Sequence, residues 1–232
     1  AADAGSSDAP VGIDYTALLA TDALQGKRIG YPTAYTGPYG RVLEPGLEFR
    51  MALTTLEEQG AILVPLTPRL PDMDNYFSVL MGGMKHDLPE YLATRSGQPI
   101  QTLAELIEFN ESHPGAEGYG QQMLKDIDAL DMTYAQATEQ FKALNSSFQQ
   151  AIDEQLIEHN LDAVIAEADG YSQFVAAVAG YPAVTVPSGM KEEGLPTSVF
   201  FFGTRWSDPQ LLALAYSYEQ ASMKLQPPAF QE

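Results

Sequence analysis

The chain has 232 residues and carries 31 acidic against 12 basic side chains, a formal net charge of −19. A polyanion of this kind is repelled by nucleic acid and by anionic membrane, so neither is expected as a partner, and the acidity serves solubility first. With no cysteine in the sequence, disulfides, thiolate catalysis and cysteine-bound zinc are excluded, while cytoplasm and periplasm both stay open.

Residues 1–13 are rich in Ala, Asp, Ser and Gly and read as a linker or frayed start. Their small, acidic character does not resemble a secretory signal, and no run of about 18 apolar residues follows anywhere. Asp14 to Leu24 reads as a short helix. Gly26 to Pro32 is a strand signal closed by proline, and Gly37, Pro38 and Gly40 mark a loop. Glu44 to Gln59 has apolar residues at 47, 51, 52, 53 and 56, an amphipathic helix ended by Gly60. Ala61 to Pro65 is a second strand. The unit 26–66 is therefore strand–helix–strand, which predicts parallel pairing through a right-handed crossover.

From Asp72 to about Asn160 the pattern is helical. Asn75 to Met84 is apolar, Thr102 with Glu105 forms a capping box, and Pro114 breaks the pattern. Thr133 to Asn160 repeats apolar residues at three- and four-residue steps. Leu161 to Ala166 is nearly all apolar and predicts a central strand. Tyr171 to Ala179 is a short helix. Ala183–Pro187 and Ser198–Gly203 predict two strands joined as a hairpin, and Asp208 to Lys224 a final helix. The expected fold class is α/β, a mixed sheet flanked by helices. Residues 14–232 are expected to belong to one domain, in which the helical segment 72–160 is either an insertion covering the sheet or a lobe of its own.

Candidate chemistry is sparse. His86, His113 and His159 have no partner at zinc-like spacing and each is placed near a helix end, so no metal is expected. No glycine-rich phosphate cradle occurs, and no cofactor is expected. Ser6-Ser7, Ser146-Ser147 and Ser188 are the serines to weigh as nucleophiles, but none sits in a GxSxG elbow, and each reads as a turn or a solvated face. Ser188 is placed at a strand end. Glu167 and Asp169 follow the central strand, in a loop position where α/β proteins place ligands; an exposed loop would carry them equally well.

The ordered set Leu161–Ala166, Ala176-Ala-Val-Ala-Gly-Tyr-Pro-Ala-Val-Thr-Val-Pro187, Gly194-Leu-Pro-Thr-Ser-Val-Phe-Phe-Phe-Gly203 and Trp206 to Gln220 resembles the C-terminal end of amidase signature enzymes. Asp14 to Leu19, Ala23 to Gly30 and Leu56 to Gly60 resemble the segment that follows that family's catalytic core. Thr102 to Asn110 is similar to the peptide-amidase-like branch. The resemblance begins at about residue 14 and spans nearly the whole chain. It implies the C-terminal portion of the amidase signature fold.

The family's nucleophilic serine, its second serine on a cis peptide and its lysine belong to a glycine- and serine-rich core. Gly5-Ser-Ser7 lacks that core's glycines, and the first lysine is Lys27, so the resemblance assigns no catalytic residue here. Glu167-Ala-Asp169 departs from the Pro-Thr of many relatives. The resemblance implies an amide-bond hydrolase in which this portion supplies scaffold and one wall of the acyl pocket. Its substrate is a small-molecule amide or peptide amide, and its partner is an N-terminal catalytic half. The rival expectation is a non-catalytic binding module that keeps the fold. The substrate-binding residues expected are Phe77 and Met81 on the apolar helix, with Asp169, Tyr171 and Gln173 in or after the loop 167–174. Without the catalytic half, a bared apolar face or strand edge predicts either a homodimer or an adjustment of 72–160 to cover it. Val164–Ala166 and Val199–Phe202 are the strands most hazardous if uncovered.

Overall fold

Arg28–Pro32 (β1) enters the sheet with Ile29 fully buried. Lys27 Nζ and the Arg28 amide both bond the Asp162 carboxylate, at 3.0 and 2.8 Å, and so tie the start of β1 to the chain just before the central strand. These contacts belong to a computed structural model that describes residues 6–36, 42–67, 69–113, 121–168, 173–192 and 194–226. The chain divides into two compact units, Ala1–Pro71 with Ser146–Glu232, and Asp72–Asn145.

In the first unit, β1 is followed by a small antiparallel pair, Tyr35–Thr36 (β2) with Val42–Leu43 (β3), which the sequence reading missed. The expected loop at 37–40 lies outside the described residues. Helix Leu47–Glu58 (α1) buries Phe49, Ala52 and Leu56. It is closed by Gly60 at φ 82°, in the left-handed region glycine enters without strain. Ile62–Leu66 (β4) then pairs parallel with β1, as the strand–helix–strand pattern predicts. Ala163–Glu167 (β5) pairs parallel with β1 on its other side. Ala183–Met190 (β6) and Pro196–Phe202 (β7) form the predicted hairpin, and β7 runs antiparallel to β5.

The order β4-β1-β5-β7-β6 makes a five-stranded mixed sheet with β5 at its centre. One face carries Ile29, Ala163, Ile165, Val199 and Phe201, packed with α1 and with Asp208–Ser222 (α7) through Leu211, Leu214 and Tyr218. Period-two alternation sends Val164, Ala166, Phe200 and Phe202 to the opposite face. There Val175 of Gln173–Ala179 (α6) and Gln155 of Tyr134–Glu158 (α5) share a small cavity of about 40 Å³ with Val164, Ala166 and Phe202. The strands marked as hazardous are thus interior and buried, while β4 and β6 form the edges. Gly30 is required by packing on this face, since an added Cβ would lie 2.6 Å from Leu66 and Leu161 side-chain carbons.

The second unit holds Tyr76–Ala93 (α2), Leu103–Ser112 (α3), Gln122–Ala129 (α4) and the beginning of α5. Both halves of the Thr102–Glu105 capping box are formed. Backbone amides of Gln101 and Thr102 hold the exposed Glu105 carboxyl below its ordinary pKa. Lys85 Nζ closes two carbonyls at the C-terminal end of α4, Asp128 at 2.8 Å and Leu130 at 2.7 Å. Gly82 faces Met132 and Ala137 so closely that a Cβ would meet them at 2.7 and 3.0 Å.

Three local expectations are corrected. Asp14 to Leu24 is a run of turns instead of a helix. Asp14 Oδ1 accepts from the Thr16 amide and hydroxyl, at 2.9 and 2.6 Å, and this side-chain closure competes with a helical turn. His86 lies in the middle of α2, not near its end, and its Nε2 donates to the Met132 carbonyl at 2.9 Å. Ser188 does not end its strand. A bulge between Pro187 and Gly189 lets β6 continue to Met190, which an edge strand tolerates because proline has no amide hydrogen to pair.

Candidate functional site

In open α/β sheets, ligands collect outside the carboxyl ends of parallel strands. At that end of β5, Glu167 is the hub. Its amide donates to Tyr35 Oη at 3.2 Å, and its Oε1 accepts from the Gly46 amide at 3.0 Å. Gly46 is the N-cap of α1 and offers no side chain of its own. A Cβ there would lie 2.6 Å from Glu167 Oε1. The bare glycine is therefore what admits the carboxylate to the helix N-terminus, where the peptide dipoles favour negative charge.

Glu48, in the first turn of α1, faces Gly189 of β6, whose added Cβ would lie 3.6 Å from Glu48 Cγ and 3.7 Å from Thr197 Oγ1. Ser188 is buried, 4% exposed, and its Oγ donates to Thr197 Oγ1 at 3.0 Å. The β5 terminus, the α1 N-terminus and the β6–β7 hairpin thus place Tyr35, Gly46, Glu48, Glu167, Ser188 and Thr197 in one chain of neighbours. The geometry gives Glu167 an anchoring task. The partner of Ser188 is a hydroxyl and not a base, so the pair does not make a nucleophile–base unit. Sequence reasoning singled out Glu167 and Ser188 but missed Tyr35, Gly46, Glu48 and Thr197. Glycine N-terminal to an amphipathic helix was the one available signal, and it does not say which carboxylate fills the gap.

Of the predicted substrate-binding residues, Asp169 and Tyr171 lie outside the described residues. Gln173 opens α6. Phe77 is 72% exposed on α2, with its ring edge-on to Tyr76 at 5.4 Å between centroids. Met81, one turn later, is half-buried. On an adjoining side of α2 a groove of about 420 Å³ opens, bounded by Leu80, Gly83, Met84, Asp87, Tyr134 and Phe141. A second cavity of about 370 Å³ lies at the β6–β7 hairpin beside Lys224. Among the described residues no group of three or more His, Cys, Asp or Glu could hold a metal ion, and no helix is long and apolar enough to cross a membrane.

A further polar network lies in the first unit. Asp153 on α5 accepts from Tyr181 Oη at 2.7 Å and from Thr204 Oγ1 at 2.8 Å. Burial, then the Asp153 carboxylate, pushes the Tyr181 hydroxyl up to about 12. Burial does the same for Tyr218 in the core, against the opposing hydrogen bond with Ser222, also to about 12.

No protein-family profile matches the chain. It is 27% identical over 232 residues to a probable amidase, At4g34880, of Arabidopsis thaliana, covering 93% of this chain and 42% of the relative. The native peptide amidase of Stenotrophomonas maltophilia superposes with a TM-score of 0.80 at 33% identity, over 100% of this chain and 50% of the other. An amidase family protein from Bacillus anthracis superposes with a TM-score of 0.84 at 26% identity, over 97% of this chain and 44% of that one. The chain thus spans about half the length of each of these three proteins. Together with the ordered motifs of β5, β6, β7 and α7, these similarities show that the chain belongs to the amidase signature family, of which it forms a C-terminal half.

Proposed function

We propose that this chain is the C-terminal portion of an enzyme that hydrolyses a linear carbon–nitrogen amide bond, with the Ser-Ser-Lys residues supplied by a catalytic half outside it. The observation that carries the reading is the match along nearly the whole chain to proteins described as amidases, each about twice as long. In the assembled enzyme the lysine accepts a proton through the second serine, and the first serine attacks the amide carbonyl. This chain contributes sheet strands, the helices that cover them, and a wall of the acyl pocket. That wall comprises Phe77 and Met81 on α2, with Asp169, Tyr171 and Gln173 around the start of α6. The similarity to a peptide amidase favours a small-molecule amide or a peptide amide as substrate. Apart from its catalytic half the chain pairs with a second copy along β6, because an edge strand offers backbone groups to any strand that approaches.

The test is a substrate profile in the full-length enzyme. Phe77→Ala and Gln173→Ala are expected to change the ratio of kcat/KM between amides of large and small acyl groups while leaving thermal stability nearly unchanged. Unchanged ratios in both variants remove these residues from the pocket wall.

A further inference from the structure

We propose that the groove between α2 and the first turns of α5 is a binding site for an amphipathic cation, an apolar body ending in a primary ammonium or guanidinium group. The proposal rests on the second unit alone and does not depend on amide hydrolysis. The groove has a volume of about 420 Å³, within the range of small-molecule sites. Four large apolar side chains around it are exposed: Leu80, Met84, Tyr134 and Phe141. Scattered apolar side chains are ordinary on a surface, but four around one concavity mark a place that excludes water on binding.

The polar end is set by Asp87. An ideal Cβ on Gly83 would lie 3.6 Å from Asp87 Oδ2, which places the carboxylate over the bare backbone that lines the groove. The neighbouring helix glycines differ in what explains them. Gly82 is demanded by Met132 and Ala137, whereas Gly83 meets only that carboxylate oxygen, at ordinary contact distance. Glycine within a helix is destabilising, and packing does not require it at 83. Its absent side chain keeps the groove floor open beneath Asp87. The nearby cation cannot neutralise that carboxylate, because Lys85 Nζ is held by the Asp128 and Leu130 carbonyls. The excess of 31 acidic over 12 basic residues adds a long-range attraction for cations. The rings of Tyr134 and Phe141 suit a cation as well as its apolar body.

The experiment uses the full chain with methyl-labelled methionine and follows the Met84 signal by NMR during titration with phenethylammonium, 2-phenylethanol and 3-phenylpropionate. Assignment comes from Met84→Leu. The expected order of affinity is ammonium, then alcohol, then carboxylate, with about a threefold advantage of ammonium over alcohol, the scale of an exposed charge pair. Asp87→Asn should bring ammonium and alcohol to equal affinity without altering the circular dichroism spectrum. Gly83→Ala should weaken all three ligands while raising thermal stability. A Met84 signal unmoved by every ligand would overturn the proposal. So would equal affinities in the wild-type chain, or an ammonium preference that survives Asp87→Asn.

Discussion

Gly82 and Gly83 are adjacent in α2, yet the structure gives them opposite sensitivities to alanine. Replacing either removes the conformational freedom that glycine loses on entering a helix, a gain of about 0.8–1.0 kcal/mol. At Gly83 the new methyl meets only Asp87 Oδ2 at 3.6 Å, an ordinary contact, so the gain survives. At Gly82 the methyl arrives 2.7 Å from Met132 Sδ and 3.0 Å from Ala137 Cβ. The thioether can swing aside, but Ala137 Cβ is fixed to the α5 backbone, and forcing a methyl into packed space costs about 1–3 kcal/mol. Gly83→Ala should therefore stabilise by up to about 1 kcal/mol, and Gly82→Ala should destabilise by roughly 0–2 kcal/mol. Urea unfolding followed by circular dichroism, with hydrogen exchange of the α2 amides, reads both. Equal stabilisation by the two variants would show that α2 does not pack on α5 as described, and the reasoning about both glycines would fall.

Other perturbations follow from the same structure. Glu167→Ala leaves the Gly46 amide without its partner and should destabilise by about 1–3 kcal/mol, while Glu167→Gln, which keeps an acceptor oxygen, should lose less than half of that; paired urea curves decide. Thr102→Ala removes the side-chain cap of α3 and should cost about 1 kcal/mol, visible as increased exchange of the Glu105 amide. Tyr181 and Tyr218 are each raised from 10.0 to about 12. A raised folded pKa means that the native state binds more protons in that interval, so stability is intact below pH 10 and falls as pH climbs towards 12. Tyr218→Phe should flatten this alkaline decline in thermal midpoint against pH, and an unchanged slope would contradict the assignment to Tyr218.

Much of the fold was legible because it is written in short-range patterns. The β1–α1–β4 unit, the central β5, the β6–β7 hairpin and the capped α3 each follow from apolar periodicity, glycine or proline punctuation and one capping box. The failures have local physical causes. Asp14 looks like the start of a helix, but its carboxylate closes a turn on Thr16. Pro187 looks like a strand end, but a bulge on an edge strand carries the ladder to Met190. Two residues of β2 against two of β3 carry too little periodicity to detect. The candidate site was harder still. Its parts come from Tyr35, Gly46, Glu167 and Thr197, and only the folded sheet brings these distant positions together. Gly83 and Asp87 share a helix, yet their groove is completed by Tyr134 and Phe141 of another.

The central proposal is that this chain is the C-terminal portion of an amidase whose catalytic residues are supplied from outside it. Reconstitution tests it most directly. The purified chain is assayed for release of ammonia from a peptide amide, alone and then co-produced with the Ser-Ser-Lys half of a relative. The account predicts no turnover above buffer for the chain alone, and turnover on reconstitution that is lost when the lysine or nucleophilic serine of the added half is replaced. Hydrolysis by the isolated chain that disappears with Ser6→Ala, Ser7→Ala or Ser188→Ala would contradict it.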